Sequence, residues 1–90
     1  MYLWDPKKNE INKNKHGISF EEARDSIFEG DNILVTGVAY DKGGVRHAVI
    51  GKHRDKYYVG VFTVTAFGIR IISVRRARDE EERDAKQKGL

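Results

Sequence analysis

The second half of the chain constrains the fold most, because four runs of β-branched and aromatic residues follow one another there with only short turns between them. The runs are ILVTGVAY (33–40), VRHAVIG (45–51), KYYVGVFTVT (56–65) and IRIISV (69–74). The turn signals between them are Asp41-Lys42-Gly43-Gly44, His53-Arg54-Asp55-Lys56 and Ala66-Phe67-Gly68. Such runs are typical of strands, and turns this short join antiparallel neighbours. The sequence therefore predicts a four-stranded antiparallel meander.

The segment WDPKKNEINKNKHGISFEEA, residues 4–23, predicts two short helices joined at a tight corner. Asp5 can cap the first helix and Pro6 suits its first position, while Gly17 ends it. The second helix begins with a capping box formed by Ser19 and Glu22. Its apolar residues recur at helical spacing and give it a core face; they are Phe20, Ala23, Ile27 and Phe28.

The last segment, DEEERDAKQK (79–88), places acidic residues before basic ones, as a helix dipole favours. This predicted helix lacks an apolar face, so we expect raised mobility for residues 79–90 in the free protein. With Tyr2-Leu3-Trp4 as a short first strand, residues 1–90 form a single α+β domain of order β-α-α-β-β-β-β-α. The antiparallel sheet is expected to pack against the N-terminal helices.

Basic residues cluster in two places, although the formal net charge is only +3. Residues 42–56 carry five basic side chains against one acidic side chain, and residues 70–78 carry four arginines and no acid. This pattern favours an anionic partner, with nucleic acid as the first candidate. A soluble surface rich in Lys and Arg is the alternative that charge alone leaves open.

Several classes of site are disfavoured by what the chain lacks. Without cysteine there is no disulfide or thiolate metal site, and the three histidines do not show metal-ligand spacing. No Ser-His-Asp order and no glycine-rich phosphate loop is present. The first residues do not resemble a signal peptide and no window is long and apolar enough for a membrane span, so we expect a cytoplasmic protein. Since no metal-ligand spacing and no phosphate loop is present, we expect no metal or other cofactor.

Three motifs resemble the BrnT toxins of BrnT–BrnA toxin–antitoxin modules: the segment 4–23, RHAVIG (46–51), and IRIISVRRA (69–77) with Glu81 after it. The similarity extends over roughly residues 2 to 83. It implies a RelE-like fold and a metal-independent endoribonuclease that inhibits translation. It also implies neutralisation by a BrnA-type antitoxin that carries a ribbon-helix-helix DNA-binding domain. The expected complex is 2:2 and contacts operator DNA only through the antitoxin.

The resemblance implies four catalytic residues, namely Lys15, His16, Arg46 and Arg75. In this hypothesis Arg46 and Arg75 contact the scissile phosphate, and His16 or Lys15 assists proton transfer. The expected RNA-binding residues are Arg70, Arg76, Lys52 and Arg54. Strand alternation places Arg70 opposite Arg75, so both can face one phosphate only if the strand is bulged.

Two positions depart from the family pattern. Thr65 stands where an arginine is usual, and Ala85 stands where a tyrosine is common. These departures leave open a weakened or inactivated toxin that acts as an antitoxin-binding module. A nucleic-acid-binding domain without an antitoxin is a third hypothesis, and it would bind with a steep dependence on salt.

The first helix is polar, and on the ribonuclease hypothesis its task is to carry Lys15 and His16 to the rim of a cationic groove. Trp4 and Ile11 are predicted to anchor it to the core. This interpretation requires Ile11→Ala to destabilise the protein far more than any change at Lys15 or His16.

Overall fold

The fold is a mixed sheet with helices on both of its faces, in a computed structural model that describes residues 1–35, 39–41 and 44–90. The strands are β1 (Tyr2–Leu3), β2 (Asn32–Leu34), β3 (Ala39–Asp41), β4 (Gly44–His53), β5 (Lys56–Thr65) and β6 (Gly68–Arg76). The helices are α1 (Pro6–His16), α2 (Phe20–Ala23), which continues as a π-helical turn (Arg24–Phe28), and α3 (Asp79–Gln87). The predicted α+β class is confirmed.

The sheet has the strand order β1-β6-β5-β4-β2, and β3 also pairs with β4. Strands β4, β5 and β6 are antiparallel neighbours, whereas β1 runs parallel to β6. The run predicted as one strand from residue 33 to 40 is found as β2 and β3, which both pair with β4. The central part of that run, 36–38, and residues 42–43 of the first predicted turn lie outside the described residues.

The helix ends follow the predicted local chemistry. The Asp5 side chain accepts a hydrogen bond from the Lys7 backbone N–H at 2.8 Å, and Pro6 occupies the first turn of α1. Gly17 ends α1 in the left-handed region at φ 73°, where a residue without a Cβ is favoured. Both hydrogen bonds of the capping box between Ser19 and Glu22 are present, each at 3.0 Å.

Each face of the sheet carries its own apolar cluster. On the face that packs against α2, the buried residues include Phe20, Ile27, Ile71 and Val74. On the opposite face, Ala85 of α3 packs with Ile50, Tyr57 and Val59. We call these the α2 face and the α3 face.

Strand β6 contains a β-bulge at Ile72. Ile71 pairs with Phe62 and Ser73 pairs with Val61, so Ile72 has no partner in β5. The extra residue shifts the alternation of side chains, and Ile71 and Val74 are accordingly both buried on the α2 face. Arg70, before the bulge, and Arg75, after it, therefore both belong to the α3 face. The expectation of opposite faces holds only for a regular strand and is corrected here.

The predicted anchor of α1 is wrong in one of its two residues. Trp4 is partly buried and packs edge-on against Phe20 with ring centroids 6.1 Å apart, as expected. Ile11, however, is 58% exposed. The neighbouring Asn12 is only 5% exposed and serves as the anchor, because its Nδ2 donates to the Ile18 carbonyl and its Oδ1 accepts from the Val74 N–H, both at 3.0 Å.

Helix α3 is held to the sheet by one buried methyl group and by polar contacts. The helix was predicted to lack an apolar face, and Ala85, which is 1% exposed, is its one buried residue. Beyond the helix, the Tyr57 hydroxyl donates to the Leu90 carbonyl at 3.0 Å. Raised mobility of residues 79–90 in the free protein stays a prediction. In the described ranges, none of the three helices has the length and apolarity needed to cross a membrane.

Candidate functional site

The end of α1 and the bulge of β6 meet at a surface pocket of about 190 Å³. Its lining combines cationic, polar and apolar side chains, namely Lys8, Ile11, Asn12, Lys15, His16, Ile72 and Ser73. Two of the predicted catalytic residues, Lys15 and His16, thus lie beside the bulged residues of β6. We call this the bulge pocket.

The position of Lys15 and His16 follows from how α1 is fixed at both ends. Strand β1 covers the outer edge of β6 only at Ile69 and Arg70. Further along that edge, the Val74 N–H points outward and is satisfied by Asn12 of α1. The last turn of α1 is thereby held against the edge of β6, and its basic residues lie where the helix dipole is negative.

The sheet carries arginines on the α3 face, although none of them lines the bulge pocket itself. Arg70 pairs with Thr63 across β5, and it is exposed. Among the described residues it has no hydrogen bond or ion pair, so its guanidinium is available to an anion. Arg46 is half-buried on β4, and the pairing of His47 with Phe62 places Arg46 next to Thr63. Arg46, Thr63 and Arg70 therefore form one row across three strands.

Arg75 is held by a two-pronged ion pair with Glu81. Its Nη1 and Nη2 donate to Glu81 Oε1 and Oε2 at 2.8 and 3.0 Å, and Nη1 also donates to the Arg76 carbonyl at 3.2 Å. A guanidinium has five N–H donors, so two remain for a ligand. The Arg75 side chain is 31% exposed. It is a charged group with a fixed orientation rather than a freely moving one.

Glu81 is ionised throughout the ordinary pH range. Its hydrogen bonds with Arg75, and then that from the Arg78 N–H at 2.8 Å, lower its pKa from 4.5 to about 2 despite partial burial. The same pairing raises the pKa of Arg75. Glu81 thus connects the start of α3 to Arg75 of β6.

A comparison with protein families finds one that matches residues 4–81, described as the ribonuclease toxin, BrnT, of type II toxin–antitoxin systems. The chain belongs to this family. A search of curated proteins finds no match. The resemblance inferred from the three motifs is confirmed, and membership makes the chain a ribonuclease toxin of a type II module with an antitoxin as its partner.

In this BrnT-family chain, three of the predicted RNA-binding residues lie away from the bulge pocket. Arg54 lies in the β4–β5 turn, where it lines a groove on the other side of α1 and forms a weak ion pair with Glu22 at 3.8 Å. Arg76 is on the α2 face, 5.5 Å from the centre of the Tyr58 ring. Lys52 lies 5.6 Å from the centre of the Tyr57 ring, near the end of α3. Of that set, only Arg70 lies on β6 on the same face as Arg75, and none of the four lines the bulge pocket.

The two positions that depart from the family pattern both have structural contacts. Thr65 Oγ1 donates to the Gly68 carbonyl at 2.8 Å and accepts from the Phe67 N–H at 3.1 Å, so it organises the β5–β6 turn. Ala85 is buried in the cluster of the α3 face. Neither residue is placed in the bulge pocket.

Sequence reasoning missed Asn12, Lys8 and the bulge at Ile72. An asparagine in the middle of a helix is an unfavourable choice unless its side chain has a specific partner, and that signal could have identified Asn12. Lys8 and Ile72 carry no comparable signal. Within residues 1–35, 39–41 and 44–90, no three His, Asp or Glu side chains are grouped closely enough to hold a metal ion.

Proposed function

We propose that the chain is an endoribonuclease that cleaves RNA at the junction of α1 and the bulge of β6. One observation carries this proposal. The bulge puts Arg70 and Arg75 on the same face, and α1 brings Lys15 and His16 to Ile72 and Ser73, which lie between those arginines in β6. Cations and a titratable imidazole around one groove are the groups that phosphodiester cleavage requires.

The reaction proposed is attack of a ribose 2′-hydroxyl on the adjacent phosphorus. The bond from phosphorus to the 5′ oxygen breaks, which leaves a 2′,3′-cyclic phosphate and a 5′-hydroxyl. A base must take the 2′ proton, and an acid must give a proton to the leaving 5′ oxygen. His16 or Lys15 is assigned to this proton transfer.

The arginines are assigned to the phosphate. Arg70 approaches it with a guanidinium that is unoccupied among the described residues, and Arg75 uses the two donors that Glu81 and the Arg76 carbonyl leave available. Arg46 contributes positive charge from β4, which is separated from β6 by β5. Fixed donors of this kind stabilise the extra negative charge of the transition state without reorganising. No metal or other cofactor enters these steps.

We further propose that the antitoxin is of the BrnA type with a ribbon-helix-helix domain, in a 2:2 complex, and that RNA cleavage inhibits translation. The family match supports this assignment. An inactivated toxin is not favoured, because the family match describes a ribonuclease toxin and because Thr65 and Ala85 both make structural contacts outside the bulge pocket.

The test is cleavage of a labelled RNA by the purified protein in the presence of a chelator. We expect a 2′,3′-cyclic phosphate product, and we expect Arg70→Ala to lower kcat/KM by about 100-fold, as for loss of one charge-stabilising donor. Arg83→Ala is the matched control, because Arg83 is exposed on α3 and has no role in the proposed site. Equal activity of the two variants would contradict the assignment of the site, and lack of any cleavage by the parent chain would contradict the proposed activity.

A further inference from the structure

Ile11 is an exposed apolar residue on a helix that is otherwise polar, and it has no role in the core. Its exposed fraction is 58%, yet it lines the bulge pocket together with Ile72. Ile72 is the unpaired residue of the bulge and is half-buried. The pocket thus has two apolar side chains, one from each of the elements that form it.

The rest of the pocket is cationic and polar. Lys8 and Lys15 are seven residues apart on α1, so they lie on one face about 10 Å apart along the helix axis. With about 190 Å³, the pocket is smaller than the roughly 300–1,000 Å³ typical of sites for drug-sized ligands. Its size and lining fit one flat, partly apolar group that carries a phosphate beside it.

We propose that the bulge pocket binds the nucleobase next to the scissile phosphate, with Ile11 and Ile72 against the face of the base and Lys8 on the neighbouring phosphate. The inference rests on the proposed ribonuclease activity and adds a substrate subsite to it. Ile11 and Lys8 are then substrate-positioning residues. Asn12 fixes the shape of the subsite, since it holds α1 to β6 at Val74.

The subsite is tested directly by titrating nucleoside 3′-monophosphates into protein labelled at the isoleucine methyl groups. Ribose 5-phosphate, which has no base, is the control ligand. We expect the nucleotides to shift the methyl signals of Ile11 and Ile72, and ribose 5-phosphate to leave them in place. Ile11→Asn should weaken nucleotide binding on the order of fivefold, as expected for the loss of about 40 Å² of apolar contact.

A matched pair of lysine variants separates the subsite from general positive charge. Lys8→Ala should weaken nucleotide binding, whereas Lys13→Ala should not, because Lys13 lines a different groove on the other side of α1, which it shares with Glu10 and Glu21. Equal losses in the two variants, or equal methyl shifts with ribose 5-phosphate, would overturn the inference.

The outcome is distinguishable from failure of the proposed function. The titration needs no cleavage, so it decides the subsite even if the parent chain cleaves no RNA. If the parent chain cleaves RNA and Ile11→Asn leaves the KM for RNA unchanged, the subsite is refuted while the ribonuclease activity stands.

Discussion

Asn12 is the residue whose removal tests the fold most sharply. It is a buried polar side chain that satisfies two backbone groups from different elements, the Ile18 carbonyl and the Val74 N–H. In Asn12→Ala both groups lose their partner at a site that is 5% exposed in the parent chain. We therefore expect a large loss of stability from a substitution that removes no apolar contact.

The magnitude follows from the cost of leaving buried polar groups unsatisfied, about 1–3 kcal/mol for each group. Partial access of water to the pocket side of α1 reduces the total, so we expect about 3 kcal/mol. That is a large share of the roughly 5–13 kcal/mol available to a domain of 90 residues. It corresponds to a decrease in Tm of about 12–24 °C.

The assay is equilibrium unfolding in urea, with Asn14→Ala and Ile11→Ala as matched controls on the same helix. Asn14 is exposed and Ile11 is 58% exposed, so each control should lower the free energy of unfolding by less than about 1 kcal/mol. An Asn12→Ala variant as stable as Asn14→Ala would refute the anchoring role. A loss at Ile11 larger than that at Asn12 would restore the sequence-based expectation.

Three further predictions concern other contacts. Arg75 lowers the pKa of Glu81, so the ion pair stabilises the protein fully above the usual carboxyl pKa of 4.5, and this contribution is lost as the pH falls towards about 2. At pH 6 the free energy of unfolding of Glu81→Gln should be lower than that of the parent chain by about 1–2 kcal/mol, after allowance for solvent screening. Urea titrations below pH 4 should show this difference shrinking. Gly60→Ala would place a Cβ 2.7 Å from the Phe28 ring and should cost about 1–3 kcal/mol; Phe28→Leu in the same chain should recover part of that loss, and additive losses would contradict the clash. Ala85→Tyr would direct a phenol into a gap of about 60 Å³, which is too small for it, so calorimetry should show a lower Tm. An unchanged Tm would mean that α3 moves away from the sheet.

Local chemistry predicted the helix ends and the hairpins. Asp5, Gly17 and the pair Ser19–Glu22 act within a few residues of where they stand in the chain, so their hydrogen bonds depend little on the rest of the fold. The turn at Arg54 and Asp55 is similar, since both residues adopt positive φ in a tight connection between β4 and β5.

The anchor of α1 could not be predicted in the same way. Hydrophobicity favours the apolar Ile11 as the core contact, because burial usually follows hydrophobicity. However, the Val74 N–H at the edge of β6 has no partner in a neighbouring strand, and a buried backbone donor requires a polar partner. The choice of Asn12 over Ile11 was therefore decided by a hydrogen-bond requirement of a strand 62 residues further along the chain.

The bulge at Ile72 connects the fold to the proposed site. Alternation in IRIISVRR contains no mark of an inserted residue, because isoleucine and arginine both occur at even and odd positions of the strand. One unpaired residue nevertheless changes the face of every side chain that follows it. It moves Val74 into the core and turns Arg75 to the face of Arg70 and α3. A phosphate site on β6 and the core packing of β6 thus depend on the same irregularity, so a change that regularised the strand would be expected to damage both together.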